Sequence, residues 1–268
     1  MSGGLDDLRF QDFRFLEEAA KLGNQLRVLL WPDEAIELAN GKAPKFPQIE
    51  REYFLSSVRW IDEVVPAEHA IRGDELPIDG AQPDVWAVRE SDDTAAKRSW
   101  CKTNHIEYRL LRDELLGTTV RSPRTPENPQ SERKKVVVTG CYDWFHSGHV
   151  RFFEECSELG DLYVMVGNDE NVRELKGEGH PFFPALQRRY IVGAIRYVTL
   201  ALISSGRGWM DAEPEILKIR PDIYAVNEDG DKPEKAEFCR QRGIEYRVLK
   251  RLPKEGLPTR QSTALRGF

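Results

Sequence analysis

The chain has 268 residues, of which 40% are hydrophobic and 10% aromatic, so it carries enough apolar surface for one large core or two ordinary ones. Its net charge of −6 and its pI of about 5.6 argue against a broad nucleic-acid-binding surface. No apolar run approaches the roughly 20 residues of a membrane span, and four scattered cysteines predict reduced thiols in a cytoplasmic protein.

The first half of the chain predicts alternating helices and strands. A helix is expected over 13–23, a strand over 26–30 and a helix over 48–59, followed by a strand, a helix and a strand up to residue 116. Only "MSGG" precedes the first helix, where a parallel sheet of this kind has its first strand. Either that strand has been lost, or the start of the protein lies upstream of residue 1.

A change of composition separates the two halves. Residues 117–134 are rich in Pro, Ser, Thr and charge, which predicts a linker between a domain over 1–116 and a domain over 135–268. The second domain opens with the β-branched strand "KKVVVTG" and continues with a helix, a strand over 162–166 and a helix over 185–196. Strands that alternate with helices imply parallel sheets built from right-handed crossovers. The predicted fold class is therefore α/β, with two tandem Rossmann-like domains whose ligands bind at the carboxyl ends of the strands.

The two halves also repeat one another in sequence, at an offset of about 137 positions. Four pairs of segments match in the same order, which predicts a tandem duplication with a few small insertions. The pairs are 13–23 with 150–160, 46–64 with 183–201, 82–93 with 220–231, and 101–111 with 239–249.

The stretch "GCYDWFHSGH", residues 140–149, places two histidines three positions apart where a strand is expected to turn into a helix. Unpaired N–H groups and the helix dipole favour anions at such a point, phosphates above all. His146 and His149 would face one ligand from the first helical turn. Gly148 would let a group approach the backbone, and Asp143 would hold a loop N–H or orient an imidazole.

Two other interpretations of the histidines remain open. A histidine near a helix start is often only a cap or a surface residue. A zinc site could be built from Cys141, His146, His149 and Cys156. Their spacing fits no common zinc finger, however, and Cys156 falls on the stripe of the helix that is predicted to be buried. The glycine patterns of dinucleotide-binding folds and P-loops are absent from the sequence.

The stretch 140–149 resembles the G-x-(F/Y)-D-x-(F/L)-H-x-G-H signature of the nucleotidyltransferase superfamily. Within that superfamily it is most similar to the cytidylyltransferases that act on glycerol 3-phosphate, phosphocholine and phosphoethanolamine. Further family landmarks follow in order: Lys176 after the second strand, "QRRYIVGAIRYV" at 187–198, an acidic loop at 227–229 and "TRQSTALRG" at 259–267. The resemblance covers residues 135–268 well and the first copy weakly.

The resemblance implies an enzyme that transfers CMP from CTP to a small phosphorylated or phosphonate acceptor and releases pyrophosphate, with Mg²⁺ bound chiefly through the phosphates. It implies that His146 and His149 donate to the triphosphate and that Lys176 bridges the reacting phosphates. The implied nucleotide-binding residues are Gly140, Cys141, Tyr142, Asp143, Phe145, Gly148, Arg260, Ser262 and Thr263. The implied acceptor-binding residues are Asn227, Glu228 and Asp229. Because the segment before the last helix is longer than in the family, Lys254 and Arg260 both stand as the expected phosphate-binding cation.

Aligned on the repeat, the first copy lacks this site. Arg9 stands in the place of His146, and Asp12 stands in the place of His149, where a negative charge repels phosphate. Gln11 replaces Gly148. By resemblance to the tandem phosphoethanolamine enzymes, the two copies are expected to form an internal pseudo-dimer with the first copy as a degenerate scaffold. A further homodimer is left open.

Two alternative functions remain at this stage. An adenylyltransferase of the same superfamily would carry the same signature, because base choice depends on backbone contacts. A nucleotide-sensing module would bind triphosphate without turnover. The predicted partners of the enzyme are a nucleoside triphosphate and a small phosphorylated metabolite, and not nucleic acid.

Overall fold

The computed structural model describes residues 1–67, 73–76, 82–118, 122–123 and 131–260. The chain divides into two compact units, Met1–Thr118 and Thr119–Phe268. The division falls close to the predicted start of the linker at residue 117. Most of the predicted linker lies outside the described residues, so its bounds stay a prediction.

Unit 1 alternates short strands with helices. Its strands are β1 (Ser2–Gly3), β2 (Arg27–Leu30), β3 (Glu63–Pro66), β4 (Val85–Arg89) and β5 (Glu107–Leu111). Its helices are α1 (Phe10–Ala20), α2 (Asp33–Asn40), α3 (Gln48–Ser56), α4 (Ala95–Thr103) and α5 (Asp113–Gly117). Strands β1, β2 and β3 pair in parallel in that order, and β4 pairs in parallel with β5.

Unit 2 also alternates strands with helices, and its first three strands are longer than those of unit 1. Its strands are β6 (Lys135–Gly140), β7 (Asp161–Val166), β8 (Val198–Ile203), β9 (Ile223–Asn227) and β10 (Glu245–Leu249). Its helices are α6 (Ser147–Leu159), α7 (Asp169–Lys176), α8 (Ala185–Gly193), α9 (Glu213–Ile219) and α10 (Pro233–Arg242). All five strands are parallel, in the order β10-β9-β6-β7-β8.

The order of the sheet explains where unit 2 can bind a ligand. Strand β6 is central, and Val136, Val137 and Val138 are fully buried in it, as its β-branched sequence predicts. The chain leaves β6 for β7 on one side and returns to β9 on the other. Such a switch of direction opens a crevice at the carboxyl end of the central strand. The predicted α/β class with parallel, helix-flanked sheets is thus confirmed.

Two expectations about the elements need correction. The first strand of unit 1 is not lost, because Ser2–Gly3 pairs in parallel with β2. The helices expected over 48–59 and 185–196 end early, at Ser56 and Gly193. The chain leaves each helix through a tight turn, in which a backbone N–H donates to the carbonyl three residues before it. The turn buries the apolar side chains that follow, Val58 and Ile195.

A buried arginine makes the same contacts in both units. The Arg188 guanidinium donates to the carbonyls of Phe183, Cys141 and Gly167 at 2.5–2.8 Å and to Asp169 at 2.6 Å. Arg51 donates to the carbonyls of Phe46, Gly4 and Trp31 at 2.5–2.9 Å and to Asp33 at 2.6 Å. The two arginines occupy equivalent places in their units. The tandem duplication stays a prediction, which these matched contacts support.

Two further findings bear on the composition. No helix in the described part of the chain is long and apolar enough to cross a membrane. All four cysteines are free thiols: Cys101, Cys156 and Cys239 are buried, and Cys141 is half-buried.

Candidate active site

An open cleft of about 870 Å³ lies at the carboxyl ends of β6 and β9 in unit 2. Most of the predicted site residues line it: Gly140, Cys141, Tyr142, Asp143, His146, Gly148, His149, Lys176, Asn227 and Asp229. The predicted residues Phe145 and Glu228 are not among the lining residues of this cleft, and Arg260 lines a neighbouring groove. Ser262 and Thr263 lie outside the described residues, so their assignment stays a prediction.

The two histidines cap the start of α6. His146 is the N-cap residue, and its Nδ1 accepts a hydrogen bond from the Gly148 N–H at 3.1 Å. The Nδ1 of His149 accepts from the His146 N–H at 3.3 Å. Since both Nδ1 atoms act as acceptors, the proton of each neutral ring lies on Nε2. The ring centroids are 4.0 Å apart, so two neighbouring Nε2–H donors are offered at one helix N-terminus.

The rings are held by packing against their neighbours. The Phe145 ring stacks on His149 with the centroids 5.2 Å apart and an interplanar angle of 15°. Phe145 therefore supports the position of the His149 ring without lining the cleft itself. Tyr142 adopts a positive φ of 55° and contacts the opposite edge of His149. A Cβ at Gly140 would come within 2.7 Å of the Tyr142 ring, and a Cβ at Gly148 within 2.9 Å of His146. These glycines leave room for the site's own side chains. Gly148 also lines the cleft, so the approach of a ligand to its backbone stays a prediction.

Burial keeps both imidazoles neutral. It lowers the pKa of His146 to about 3, with a smaller effect of the Arg251 and Arg260 charges. It also lowers the pKa of His149 well below the usual value, assisted by His146 and Arg251. Each neutral ring keeps its Nε2–H as a donor, so both rings can stabilise charge that develops on phosphate oxygens.

We expect these pKa values to make the protein less stable below pH 6.5. An unfolded histidine titrates near 6.5, so the unfolded chain takes up protons that folded His146 refuses. Above pH 6.5 the neutral His146 costs the folded state nothing. As the pH falls from 6.5 toward 3, the free energy of unfolding decreases by about 1.4 kcal/mol per pH unit. Urea titrations at several pH values from 7 to 4.5 give the free energy of unfolding at each pH. This free energy should fall less steeply with falling pH in His146→Asn, which keeps an N-cap acceptor, than in the wild type. An identical slope in the variant would contradict the assignment.

Asp143 is used to fix a loop. Its Oδ2 and Oδ1 accept the N–H groups of Phe182 and Phe183 at 2.9 and 3.0 Å. The sequence left open whether Asp143 holds a loop N–H or orients an imidazole, and it holds two loop N–H groups. The His180 Nδ1 lies 3.5 Å from the same carboxylate. Asp143 therefore ties the 180–184 loop to the loop that carries the histidines.

Arg251 is the cation that the sequence interpretation missed. It lies just after β10, lines the cleft, and acts through its charge on both histidines. Its guanidinium pairs with Asp229 and donates to the Arg260 carbonyl at 3.0 Å. Its backbone N–H donates to Glu228 at 3.3 Å. Asp229 and Glu228, predicted to bind the acceptor, thus hold Arg251 in place.

The two cations named from the sequence stand elsewhere. The Lys254 Nζ is 2.8 Å from Glu154 on α6 and is held away from the histidines. Arg260 offers its carbonyl to Arg251, and its charge acts on His146 from the neighbouring groove. Lys176, at the end of α7, is exposed and lines the cleft as expected. A second cation that the sequence interpretation missed, Lys235, also lines the cleft, with its Nζ 3.0 Å from the Gly230 carbonyl.

The arrangement of Cys141, His146, His149 and Cys156 does not support a zinc site. Cys156 is fully buried on the inner face of α6, and burial raises its pKa far above that of a free thiol. Among the described residues, no three His, Cys, Asp or Glu side chains are grouped to hold a metal ion.

Unit 1 fills the equivalent place with its own ion pairs. Arg9 is the N-cap of α1, and its N–H donates to Asp12 at 2.7 Å, as the His146 N–H donates to His149. Arg89 donates to Asp12, Asp113 and Gln11 at 2.6–2.9 Å. In the repeat, Arg89 matches Asn227 and Asp113 matches Arg251. At the matched positions a carboxylate therefore replaces the cation Arg251, and an arginine that is paired with carboxylates replaces the neutral Asn227. This arrangement supports the prediction that unit 1 binds no phosphate.

Comparison with known proteins adds relatives of unit 2. Residues 137–247 match a family model described as Cytidylyltransferase-like. A FAD synthase of Ferroglobus placidus is 40% identical over 125 residues, covering 46% of this chain and 78% of that relative. The bifunctional protein HldE of Methylococcus capsulatus is 38% identical over 117 residues, covering 43% of this chain and 23% of that protein. A lipopolysaccharide core biosynthesis protein from Thermoplasma volcanium GSS1 has a solved structure that matches with a TM-score of 0.39 and 24% identity. That match covers 46% of this chain and 99% of the other.

Proposed function

The chain belongs to the cytidylyltransferase-like nucleotidyltransferases that carry the H-x-G-H signature, and on that premise we propose that it transfers an adenylyl group from ATP to FMN. The arrangement of His146 and His149 at the start of α6 carries the proposal of nucleotidyl transfer. The relatives named FAD synthase favour the adenylyl group, since FAD is FMN joined to AMP. They favour the adenylyltransferase alternative over the CTP-dependent enzyme expected from the signature.

The reaction is an in-line displacement at the α-phosphorus of ATP. An oxygen of the acceptor phosphate forms a bond to this phosphorus while the bond to the bridging oxygen of the β-phosphate breaks, and pyrophosphate leaves with that oxygen. Negative charge gathers on the phosphoryl oxygens in the transition state. The Nε2–H groups of His146 and His149 donate to these oxygens, and the N-terminus of α6 adds its positive dipole.

Two cations complete the phosphate site. Lys176 and Arg251 approach the histidines from different elements, and their charges lower the pKa of His149. Both neutralise charge on the triphosphate, and Arg251 offers a planar fork of donors. The cleft carboxylates are engaged, Asp143 with backbone N–H groups and Asp229 with Arg251. Mg²⁺ would therefore be held by the phosphates and water, where it would neutralise further charge.

Arg251→Gln is expected to weaken ATP binding by about ten- to a hundredfold, because charge-assisted hydrogen bonds contribute about 1.5–3 kcal/mol. Calorimetric titration with ATP and Mg²⁺ measures the change. Arg247→Gln is the matched control, because Arg247 is exposed on β10 and pairs with Glu245 on the same strand. Equal affinities of the two variants would show that Arg251 does not touch the nucleotide.

The proposed function is tested by incubating the protein with Mg²⁺, FMN and either ATP or CTP. Pyrophosphate is assayed, and flavin products are separated by chromatography. We expect pyrophosphate and FAD with ATP. A cytidylyl product would restore the prediction made from the signature. A rise in melting temperature without pyrophosphate would favour a nucleotide-sensing module.

A further inference from the structure

Two aromatic side chains stand together at one side of the cleft in unit 2. Trp144 lines the cleft two residues before His146, and its ring centroid lies 5.8 Å from that of Phe182. Phe182 belongs to the 180–184 loop and leaves 47% of its surface exposed. The proposed transfer reaction assigns no role to this pair.

Two hydrogen bonds from the 180–184 loop to Asp143 form a frame that fixes the backbone around the pair. Asp143 accepts the N–H groups of Phe182 and Phe183, which fixes the 180–184 loop beside Trp144. Unit 1 builds the same frame, in which Asp6 accepts the N–H groups of Lys45 and Phe46 at 2.6 and 2.9 Å. The chain thus contains an internal control for what the frame itself requires.

The control shows that the frame does not need the aromatic pair. Trp144 and Phe182 match Asp7 and Lys45 in unit 1, which form an ion pair at 3.1 Å. The neighbouring Phe183 matches the buried Phe46, so the apolar position that packs inward is kept. Only the two positions beside the cleft differ in character. Trp144 also contacts Phe183 at 5.5 Å, and Phe182 contacts His180 at 4.9 Å, yet nearly half of the Phe182 surface stays exposed. An exposed aromatic ring beside a binding cleft, at a position where the matching frame has none, indicates a ligand surface.

We propose that Trp144 and Phe182 form a platform for a planar ring of the acceptor, the isoalloxazine ring of FMN. This inference rests on the proposed function and names the residues that select its acceptor. Trp144 and His146 lie on one short loop, so a ring on Trp144 leaves the attached phosphate within reach of the histidines. Ring stacking on tryptophan and phenylalanine removes apolar faces from water and favours flat acceptors over aliphatic phosphates.

The test measures FMN binding by flavin fluorescence, without ATP, in Trp144→Leu and Phe182→Leu. We expect the Kd for FMN to rise about ten- to a hundredfold in Trp144→Leu and less in Phe182→Leu. ATP affinity and kcat at saturating FMN should stay within about twofold. Trp144→Phe should recover most of the binding, which a purely structural role does not predict. Trp209→Leu is the matched control, because Trp209 is an accessible tryptophan of unit 2 that lies outside the cleft lining.

The outcomes separate this inference from the proposed function. An unchanged Kd for FMN in both leucine variants overturns the platform and leaves adenylyl transfer standing. Wild-type protein that binds no FMN also overturns it. Wild-type protein that binds FMN but releases no pyrophosphate from ATP overturns the proposed function, and the leucine variants still decide the platform.

Discussion

His149→Ala is expected to lower kcat by about 10²–10³-fold, because removing one preorganised donor to developing charge has that typical effect. His149 lies at the start of α6 with its Nδ1 bonded to the backbone, so its Nε2–H is available to the phosphate. We expect His146→Ala to have an effect of the same order. Initial rates of pyrophosphate release at saturating substrates measure both variants.

Stability must be measured beside these rates. His146 is only 1% exposed and caps α6, so His146→Ala should also lose about 1 kcal/mol of unfolding free energy. His146→Asn should keep the cap and remain slow. Arg9→Ala and Asp12→Ala change the matching positions of unit 1 and should leave kcat unaltered. Rates near wild type in either histidine variant would refute a catalytic role for that residue.

Arg188→Met is expected to lower the free energy of unfolding by about 3–5 kcal/mol, the cost of breaking a buried charged network. The Arg188 side chain is buried, and its removal leaves three carbonyl groups without this donor and leaves Asp169 with the Ala185 N–H alone of the two donors. Arg51→Met should destabilise the chain by a similar amount, because Arg51 makes the equivalent contacts in unit 1. Urea denaturation measures both changes.

An exposed arginine provides the control for this pair. Arg240 on α10 pairs with Glu237 at the surface, so Arg240→Met should leave the free energy of unfolding nearly unchanged. Arg188 also holds the carbonyl of Cys141 at the cleft, so Arg188→Met should reduce activity more than Arg51→Met does. If Arg188→Met and Arg240→Met were equally stable, the buried contacts would not have the assigned importance.

Much of the fold could be predicted because its signals are local. The β-branched run Val136–Val138 predicted a buried parallel strand, and the histidine pair was placed at the amino end of the following helix, where α6 begins. The alternation of strands and helices then predicted a cleft at the carboxyl end of β6. Each of these inferences depends on residues that are close together in the sequence, where spacing determines geometry.

The contacts that the sequence did not predict join distant segments. Arg251 follows β10, more than 100 residues after His146, and only the packing of that loop brings it to the histidines. The pairing of Asp229 with Arg251 likewise depends on two loops that meet at the end of the sheet. Motif alignment pointed to Lys254 or Arg260 as the phosphate-binding cation, but Lys254 lies in a longer loop and pairs with Glu154.

The identity of the nucleotide base was the feature that the sequence predicted least well. The signature at 140–149 serves the phosphates, which all nucleoside triphosphates share, so it carries no information on adenine or cytosine. The residues expected to close the phosphate site, Ser262 and Thr263, lie outside the described part of the chain. The relatives named FAD synthase therefore contributed what the residues of the cleft did not.

The central claim is that the histidine site of unit 2 directs attack at the α-phosphorus of ATP. Parallel reactions with ATP labelled at the α-phosphate and at the γ-phosphate, with FMN and Mg²⁺, test it most directly. We predict that the α-label enters the flavin product and that the γ-label is released in pyrophosphate, with both rates lowered about 10²–10³-fold in His149→Ala. Release of γ-labelled inorganic phosphate, with no α-label in any acceptor, would contradict the account.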